Sequence, residues 1–230
     1  MRAADIMTTN VVTVGPEASV REVARLLLAH RISAVPVVDG SGELVGIVSE
    51  SDLMRRTEAD TERRRSWWLR LLASNETLAR EFVKSHSDKV ADVMTKKVVT
   101  AQPDASLGDI AALLERNGIK RVPIVKDRKV VGIVSRANLV QALASVRPKT
   151  AAGTAASDSV IRDKVTARLM SQNWTETWPI NVIVHDGTVE LWGLVESEAE
   201  KMAIRVAAEQ TEGVRAVNDN VIVRPLMFAE

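Results

Sequence analysis

Two copies of one sequence unit occupy the first two thirds of the chain, and this repeat constrains the fold more than any other feature. Four segments recur in the same order, and the first three are separated from their copies by 87 residues. The recurring segments are DIMT at 5 and DVMT at 92, VVT at 11 and 98, VPVV at 35 and VPIV at 122, and GIVS at 46 and 132. An ordered repeat of this length indicates two copies of one domain.

Each copy shows the element pattern β-α-β-β-α. In the first copy, a β-branched run over 11–14 precedes a helix that starts with a capping box at Ser19. Two strands at 35–38 and 44–48 are joined by the turn sequence DGSG, and a helix follows from Ser49. The second copy repeats this order.

The composition excludes several classes of protein. Hydrophobic residues make up 46% and charged residues 27%, as in a soluble globular chain, and the net charge of +1 gives no overall attraction to nucleic acid or membranes. Without cysteine, the chain has no disulfide, thiolate nucleophile or cysteine-ligated metal. No secretory signal and no apolar run of membrane-spanning length is visible, so we expect a cytoplasmic protein.

The sequence also lacks recognisable catalytic motifs. It contains no P-loop, no G-x-G-x-x-G after a strand and no G-x-S-x-G. The histidines His30, His86 and His185 are isolated and do not have the spacing of metal ligands. We therefore predict that the chain is not an enzyme and carries no intrinsic metal.

The order of the repeated motifs, D-[IV]-M-T, V-V-T, V-P-[VI]-V and G-I-V-S-x-x-[DN]-L, resembles the cystathionine-β-synthase (CBS) domain. Two such domains in tandem resemble the regulatory pair called a Bateman module, and the resemblance covers residues 1–146 apart from a central insert. It implies two clefts that hold an adenosine-bearing ligand such as AMP, ADP, ATP, NAD(H) or S-adenosylmethionine. Because an isolated CBS pair often leaves apolar helix faces exposed, we also predict a homodimer through the CBS pairs.

The carboxylate of Asp52 is the main candidate for a ligand-binding group. It lies at the start of a helix, where free backbone amides favour anions, and a carboxylate can accept two hydrogen bonds from a ribose diol, the role that the resemblance implies. The alternative is that Ser49 to Asp52 form only a capping box. Asn138 occupies the matching position of the second copy, where an amide oxygen accepts more weakly. Lys120 and Arg121 either bind phosphate or are surface charges.

The predicted ligand-binding residues come from both copies. The apolar ones would form walls for an adenine ring, and Gly46 and Gly132 would let a ligand or another backbone approach closely. The full set is Ile6, Met7, Val12, Ala34, Val35, Pro36, Ser49, Asp52, Val93, Met94, Val99, Lys120, Arg121, Val122, Pro123, Ser135 and Asn138.

The insert between the copies, residues 57–88, is rich in arginine and tryptophan. It contains the sequence RRRSWWLR at 63–70, and its apolar residues fall at helical spacing. We interpret the stripe that includes Trp67 and Trp68 as an interface with the CBS pair or across a dimer. The alternatives are an anionic membrane surface and nucleic acid, and the neighbouring acidic residues argue against nucleic acid.

A second domain follows a linker of small residues at 148–157. Residues 158–225 show the element order α-β-β-α-β. The segments DGTVELWGLV at 186–195 and GVRAVNDNV at 213–221 resemble the BON domain, named from bacterial osmotic-shock and nodulation proteins. This resemblance implies binding to phospholipid or to a protein partner.

Three tryptophans of this second domain allow two interpretations. Trp174, Trp178 and Trp192 form either a membrane-facing patch or part of the core. Because Leu191 and Trp192 are adjacent on a strand, they point to opposite faces of the sheet, and we expect at least one of them to be exposed.

The predicted fold class is α+β, with two β-α-β-β-α CBS repeats packed as a pseudo-symmetric pair and a small α-β-β-α-β BON domain. The predicted order is first CBS domain 1–56, helical insert 57–88, second CBS domain 89–147, linker 148–157 and BON domain 158–225. We predict a regulatory protein that relays adenosyl-ligand binding through dimer geometry and the BON domain. The alternative is a ligand-free scaffold that dimerises through its CBS domains and docks on phospholipid or protein through its BON domain.

Overall fold

The structure of the protein is a computed structural model that describes residues 1–54, 82–83, 86–145, 155–172 and 180–224. The predicted stripe with Trp67 and Trp68 lies outside the described residues, as do Trp174 and Trp178.

The described residues form two compact units. The first-repeat unit takes its residues from Val11–Val98 and Asp127–Val130. The second-repeat unit takes its residues from Met1–Asn10, Val99–Lys126 and Val131–Glu230, so it also contains the C-terminal domain.

The helices and strands follow one another in nearly the predicted order. Those of the described residues are α1 (Ala3–Ile6), α2 (Val20–Ala29), β1 (Ala34–Val38), β2 (Leu44–Ser49), α3 (Glu50–Leu53), α4 (Val90–Val93), α5 (Leu107–Arg116), β3 (Arg121–Lys126), β4 (Lys129–Ser135), α6 (Arg136–Ser145), α7 (Ala155–Met170), β5 (Asn181–His185), β6 (Thr188–Val195), α8 (Glu198–Glu209) and β7 (Ala216–Val223).

An antiparallel pair of strands and one amphipathic helix build the first-repeat unit. Strand β1 pairs with β2 so that Ala34 lies opposite Ser49, at the end of the hairpin where α3 begins. Helix α2 starts at the predicted cap, because the Ser19 hydroxyl accepts a hydrogen bond from the Glu22 amide at 3.1 Å. This helix places its apolar face, which includes Val23, in the core of the unit.

The first predicted strand of each copy is shorter than its sequence pattern indicates. In the run 11–14, only Val14 forms a bridge, which is parallel to Val37 of β1. In the second copy only Ala101 forms the equivalent bridge. A proline follows each bridging residue by two positions, and proline lacks the N–H group that would extend a ladder.

Each opening motif, DIMT or DVMT, belongs to the unit that is built around the other copy. Helix α1 comes from the first copy, but its Ile6 is buried in the second-repeat unit with Val134 of β4. Helix α4 comes from the second copy, but its Val93 is buried in the first-repeat unit with Val48 of β2. The compact units are therefore not contiguous in sequence, although the repeats are.

The C-terminal domain contains a three-stranded sheet in the order β5-β6-β7. The central strand β6 is antiparallel to β5 and parallel to β7. Asp186 and Gly187 have φ values of 49° and 73° and form the predicted hairpin turn. Helix α7 begins at Ala155, three residues earlier than the expected start at Asp158.

Both faces of this sheet are covered. Helices α7 and α8 cover one face, where Leu191 is 0% exposed. Ile183 and Trp192 lie on the other face and pack against the core of the second repeat. Leu191 is therefore buried and Trp192 is partly buried, because the second repeat covers the face that an isolated domain would present to solvent. This packing favours the core interpretation of Trp192.

Candidate functional site

The junction between β2 and α3 places Asp52 beside Ser49. The backbone amide and the hydroxyl of Ser49 both donate to Oδ2 of Asp52, at 3.0 and 2.8 Å. This is the predicted capping interaction, and it holds the carboxylate at the first turn of α3. Asp52 is half-buried.

The matching junction between β4 and α6 has the same geometry around an amide. The backbone amide and hydroxyl of Ser135 donate to Oδ1 of Asn138, at 2.8 and 2.6 Å. The side-chain nitrogen of Asn138 donates to the carbonyl of Ile6 at 3.2 Å. Asn138 is only 5% exposed, so its oxygen and its nitrogen both serve contacts within the protein. An aspartate here would lack the N–H group that binds Ile6.

The glycine that precedes each junction contacts a methionine of an opening motif. A Cβ atom on Gly132 would overlap the side chain of Met7, and one on Gly46 would overlap that of Met94. The sequence predicted close approach at both glycines, and the approaching group is a thioether side chain.

The threonine that follows each methionine forms two backbone hydrogen bonds to the strand. Thr8 exchanges them with Ile133 at 2.9 and 3.0 Å, and Thr95 exchanges them with Ile47 at 2.9 and 3.0 Å. These threonines were not among the predicted site residues. The recurrence of threonine as the fourth residue of DIMT and DVMT is the signal that could have identified them.

The predicted site residues divide by exposure into two groups. The residues with buried side chains are Ile6, Met7, Ala34, Val35, Pro36, Val93, Val122, Pro123 and Asn138. The residues that keep exposed surface are Val12, Ser49, Asp52, Met94, Val99, Lys120, Arg121 and Ser135. The buried residues pack in the hydrophobic cores or at their edges and support the two junctions. The residues of the second group have surface that a ligand can contact.

The start of β3 lies next to the start of α6. The carbonyl of Lys120 accepts a hydrogen bond from the Arg136 amide at 3.1 Å. Arg121 is half-buried and Lys120 is exposed. Cationic side chains are thus present beside a helix start in the second repeat, where they favour an anionic group. The matching position of the first repeat is the uncharged Ala34.

Arg162 on α7 is a buried cation that the sequence did not single out. Its Nη1 donates to the carbonyl of Ala4 at 2.6 Å, and its Nη2 donates to the carbonyl of Met7 at 2.5 Å. Its Nε donates to the carbonyl of Val182 at 2.7 Å. Burial lowers the pKa of Arg162, which the carboxylates of Asp163 and Asp5 partly offset. A guanidinium nevertheless remains charged at neutral pH.

The fold brings His185, which is isolated in sequence, close to two carboxylates. One potential ligand atom from each of Asp158, His185 and Asp186 lies within 4.8 Å of the others. The two oxygens of Asp158 accept hydrogen bonds from the amides of Asp186 and Gly187, both at 2.9 Å. Through these two hydrogen bonds, Asp158 stabilises the turn between β5 and β6.

The chain matches the CBS domain at residues 3–58 and 90–145 and the BON domain at residues 157–225. It belongs to the CBS-domain proteins and carries a BON domain after its CBS pair. The predicted family and the predicted α+β fold class are both confirmed. Within the described residues, no helix combines the length and apolar character needed to cross a membrane.

Several relatives share the CBS pair. The uncharacterized protein MJ1426 of Methanocaldococcus jannaschii is 35% identical over 133 residues, which are 53% of this chain and 79% of that protein. The CBS domain-containing protein YhcV of Bacillus subtilis is 31% identical over 135 residues, which are 59% of this chain and 80% of that protein. The crystal structure of CBSX2 in complex with AMP has a TM-score of 0.55 at 31% identity, covering 64% of this chain and 99% of that chain.

Proposed function

We propose that this chain is a regulatory protein whose CBS pair binds an adenosine-bearing ligand. The observation that carries the proposal is the similarity to CBSX2, which contains AMP and is matched over 99% of its chain. Each repeat has exposed members of the predicted set that suit such a ligand. The first repeat has a carboxylate for a ribose, the second has cations for a phosphate, and both have apolar side chains for a base.

We assign the ribose contact to Asp52. A carboxylate can accept several hydrogen bonds, so a capping contact and a ribose contact are compatible at one side chain. The cap therefore orients the carboxylate and remains compatible with a ligand role. Asn138 has its amide nitrogen engaged with the Ile6 carbonyl, and we expect the second copy to bind a ribose more weakly than the first.

We assign the phosphate contact to Lys120 and Arg121. Their charges lie beside the start of α6, where the positive end of the helix dipole also favours an anion. AMP, ADP, ATP, NAD(H) and S-adenosylmethionine all share the adenosine group, and those that carry phosphate would use these cations.

Homodimer formation is part of the proposal. Leu143 and Val140 on α6 are 75% and 65% exposed, and Leu28 on α2 is 78% exposed. Leu143 and Val140 are three residues apart, so they lie on one face of the helix. A second copy that covered these three side chains would remove exposed apolar surface from water.

The BON domain would relay the effect of ligand binding to a phospholipid or protein partner. One face of its sheet is covered by its own helices and the other by the second repeat, so docking must use an outer surface. Met202 and Val206 lie one helical turn apart on α8 and are 59% and 37% exposed, whereas the neighbouring Arg205 is paired with Glu209 at 3.7 Å. Such an apolar pair suits lipid chains or an apolar patch of a protein partner.

Calorimetric titration of the full chain with AMP, ADP, ATP, NADH and S-adenosylmethionine tests the sensor function. Saturable binding of at least one compound is the expected result. A failure of every compound to bind would favour the alternative, a ligand-free scaffold that uses the same exposed surfaces of α6 and α8 for assembly and docking.

A further inference from the structure

A charged side chain of the BON domain is buried against the opening segment, residues 1–10. Arg162 is 6% exposed, and its guanidinium donates to two carbonyls of that segment, Ala4 and Met7. The same group donates to Val182 of β5. One side chain therefore connects the opening segment to the BON sheet by hydrogen bonds that are 2.5 to 2.7 Å long.

The guanidinium of Arg162 donates hydrogen bonds to backbone carbonyls at the C-terminal end of helix α1. The last carbonyls of a helix have no partner within it, and they form the negative end of the helix dipole. In α1 and its C-terminal cap, Arg162 takes the carbonyls of Ala4 and Met7, and Asn138 takes the carbonyl of Ile6. A cation that donates to these groups offsets the cost of its own burial.

The opening segment in turn shapes the second-repeat junction. The Met7 side chain packs against Gly132, where a Cβ atom would otherwise lie, and Thr8 is hydrogen-bonded to Ile133 of β4. Ile6 and Met7 both belong to the predicted ligand-binding set. A displacement of this segment would therefore move the wall of the second-repeat junction.

We propose that Arg162 is a positioning residue that couples the BON domain to the ligand site of the second repeat. With Arg162 in place, the opening segment is fixed and the site is preorganised. Binding of a ligand to that site in turn stabilises the docking of Arg162, because coupling between two binding events is reciprocal. The coupling rests on the proposed nucleotide function, whereas the fixing of the opening segment does not.

The planar fork of arginine is required for this role. Three carbonyls receive bonds from three different nitrogens of Arg162. A lysine has one ammonium group and cannot reproduce three diverging donors at these positions. Arg162→Lys should therefore keep the charge and still release part of the opening segment, and Arg162→Met should release it further.

Hydrogen exchange of the full chain tests the fixing of the opening segment without any ligand. In the wild type the amides of Met7 and Thr8 donate to Ala3 and Ile133, both at 2.9 Å. Loss of the Arg162 bonds should speed exchange at these two amides by at least about tenfold. Arg168→Met is the matched control, because Arg168 lies on the same helix but donates to Gln210 at the end of α8.

Calorimetric titration with AMP tests the coupling in the same proteins, each also carrying Asp52→Asn so that binding at the second-repeat site dominates the measurement. Arg162→Met should weaken AMP binding by at least about fivefold, with Arg162→Lys intermediate and Arg168→Met equal to the wild type. If Arg162→Met does not fold, Arg162→Lys provides both measurements, because it keeps the charge, loses the diverging donors and should still speed exchange at Met7 and Thr8.

The outcomes separate the two proposals. Wild-type exchange in both Arg162 variants would overturn the positioning role, and faster exchange with unchanged AMP affinity would overturn the coupling. If the wild type binds no compound of the adenosine panel, the proposed function fails and the coupling fails with it. The exchange measurement still decides whether Arg162 fixes the opening segment.

Discussion

The side-chain amide of Asn138 donates to the carbonyl of Ile6, at 3.2 Å, across 132 residues of sequence. In the first copy the equivalent position is Asp52, which has no side-chain N–H group to donate. The same capping geometry therefore serves two purposes. It fixes an opening segment in the second repeat, and it presents a carboxylate in the first.

The substitution Asp52→Asn separates a cap from a ribose ligand. Asn138 accepts both bonds from its serine, so Asp52→Asn should keep the cap and leave the melting temperature close to that of the wild type. The amide should pair less strongly with a diol, and AMP affinity should fall by about tenfold or more. Calorimetric titration and thermal unfolding of the same sample measure both effects.

The control for this experiment is Ser19→Ala. It removes the cap of α2, outside the predicted ligand-binding set, so it should cost about 1 kcal/mol of stability with little effect on AMP affinity. Wild-type affinity in Asp52→Asn would show that the carboxylate does not bind the ribose.

A methyl group on Gly132 should destabilise the second repeat. An added Cβ would lie 3.1 Å from the Cβ of Met7 and closer to the rest of that side chain. Overpacking of this kind costs about 1–3 kcal/mol, which urea unfolding can measure. Gly40→Ala is the control, because a Cβ there meets nothing within 4 Å.

The double variant Gly132→Ala with Met7→Ala tests the origin of that cost. Removal of the Met7 side chain relieves the overlap, so the two losses of stability should sum to more than the loss in the double variant. If the two losses are additive, the destabilisation by Gly132→Ala does not come from its contact with Met7.

Polar substitution on the exposed face of α6 should weaken the dimer. Leu143→Ser and Val140→Ser remove apolar side chains that are largely exposed in one chain, so the fold should persist. Light scattering should report a wild-type dimer and a shift of the variants toward monomer. Val160→Ser is the control, because Val160 is 52% exposed but lies on α7, outside the proposed dimer surface. A wild-type chain that is monomeric at tens of micromolar would contradict dimerisation.

The turn between β1 and β2 should lose stability in acid. Hydrogen bonds from Ser41 and Glu43 hold the pKa of Asp39 below its usual value. A group with a depressed pKa stabilises the fold above its unfolded pKa, and this stabilisation disappears as pH falls through the folded pKa. Asp39→Asn keeps an acceptor but does not titrate, so its stability should vary less than that of the wild type below pH 4. Chemical unfolding from neutral pH to about pH 3 compares the two chains.

The local elements of this fold were predictable because the interactions that define them are close in sequence. Ser19, Ser106 and Ser197 each cap a helix through an amide three residues later, as their patterns indicate. The Asp186-Gly187 turn also formed as predicted, because Asp and Gly tolerate positive φ.

The long-range relations were not predictable in the same way. Arg162 and Arg168 are both arginines of one helix, and nothing local distinguishes the buried residue from the exposed one. The difference arises because α1, which begins more than 150 residues earlier, supplies carbonyls to one of them. The internal repeat likewise located each opening motif, but it did not indicate on which of the two copies that motif would pack.

The exchange of opening motifs constrains the order in which the chain can fold. Helix α1 is translated well before the groups that hold it, because Ile6 contacts Asn138 and Met7 contacts Arg162, which lies 155 residues later. Contacts of such high sequence separation form slowly, so docking of α1 should be a late event in folding. Until its own opening segment docks, a chain can accept the opening segment of a neighbouring chain in its place, so we expect domain-swapped association to be the main misfolding route.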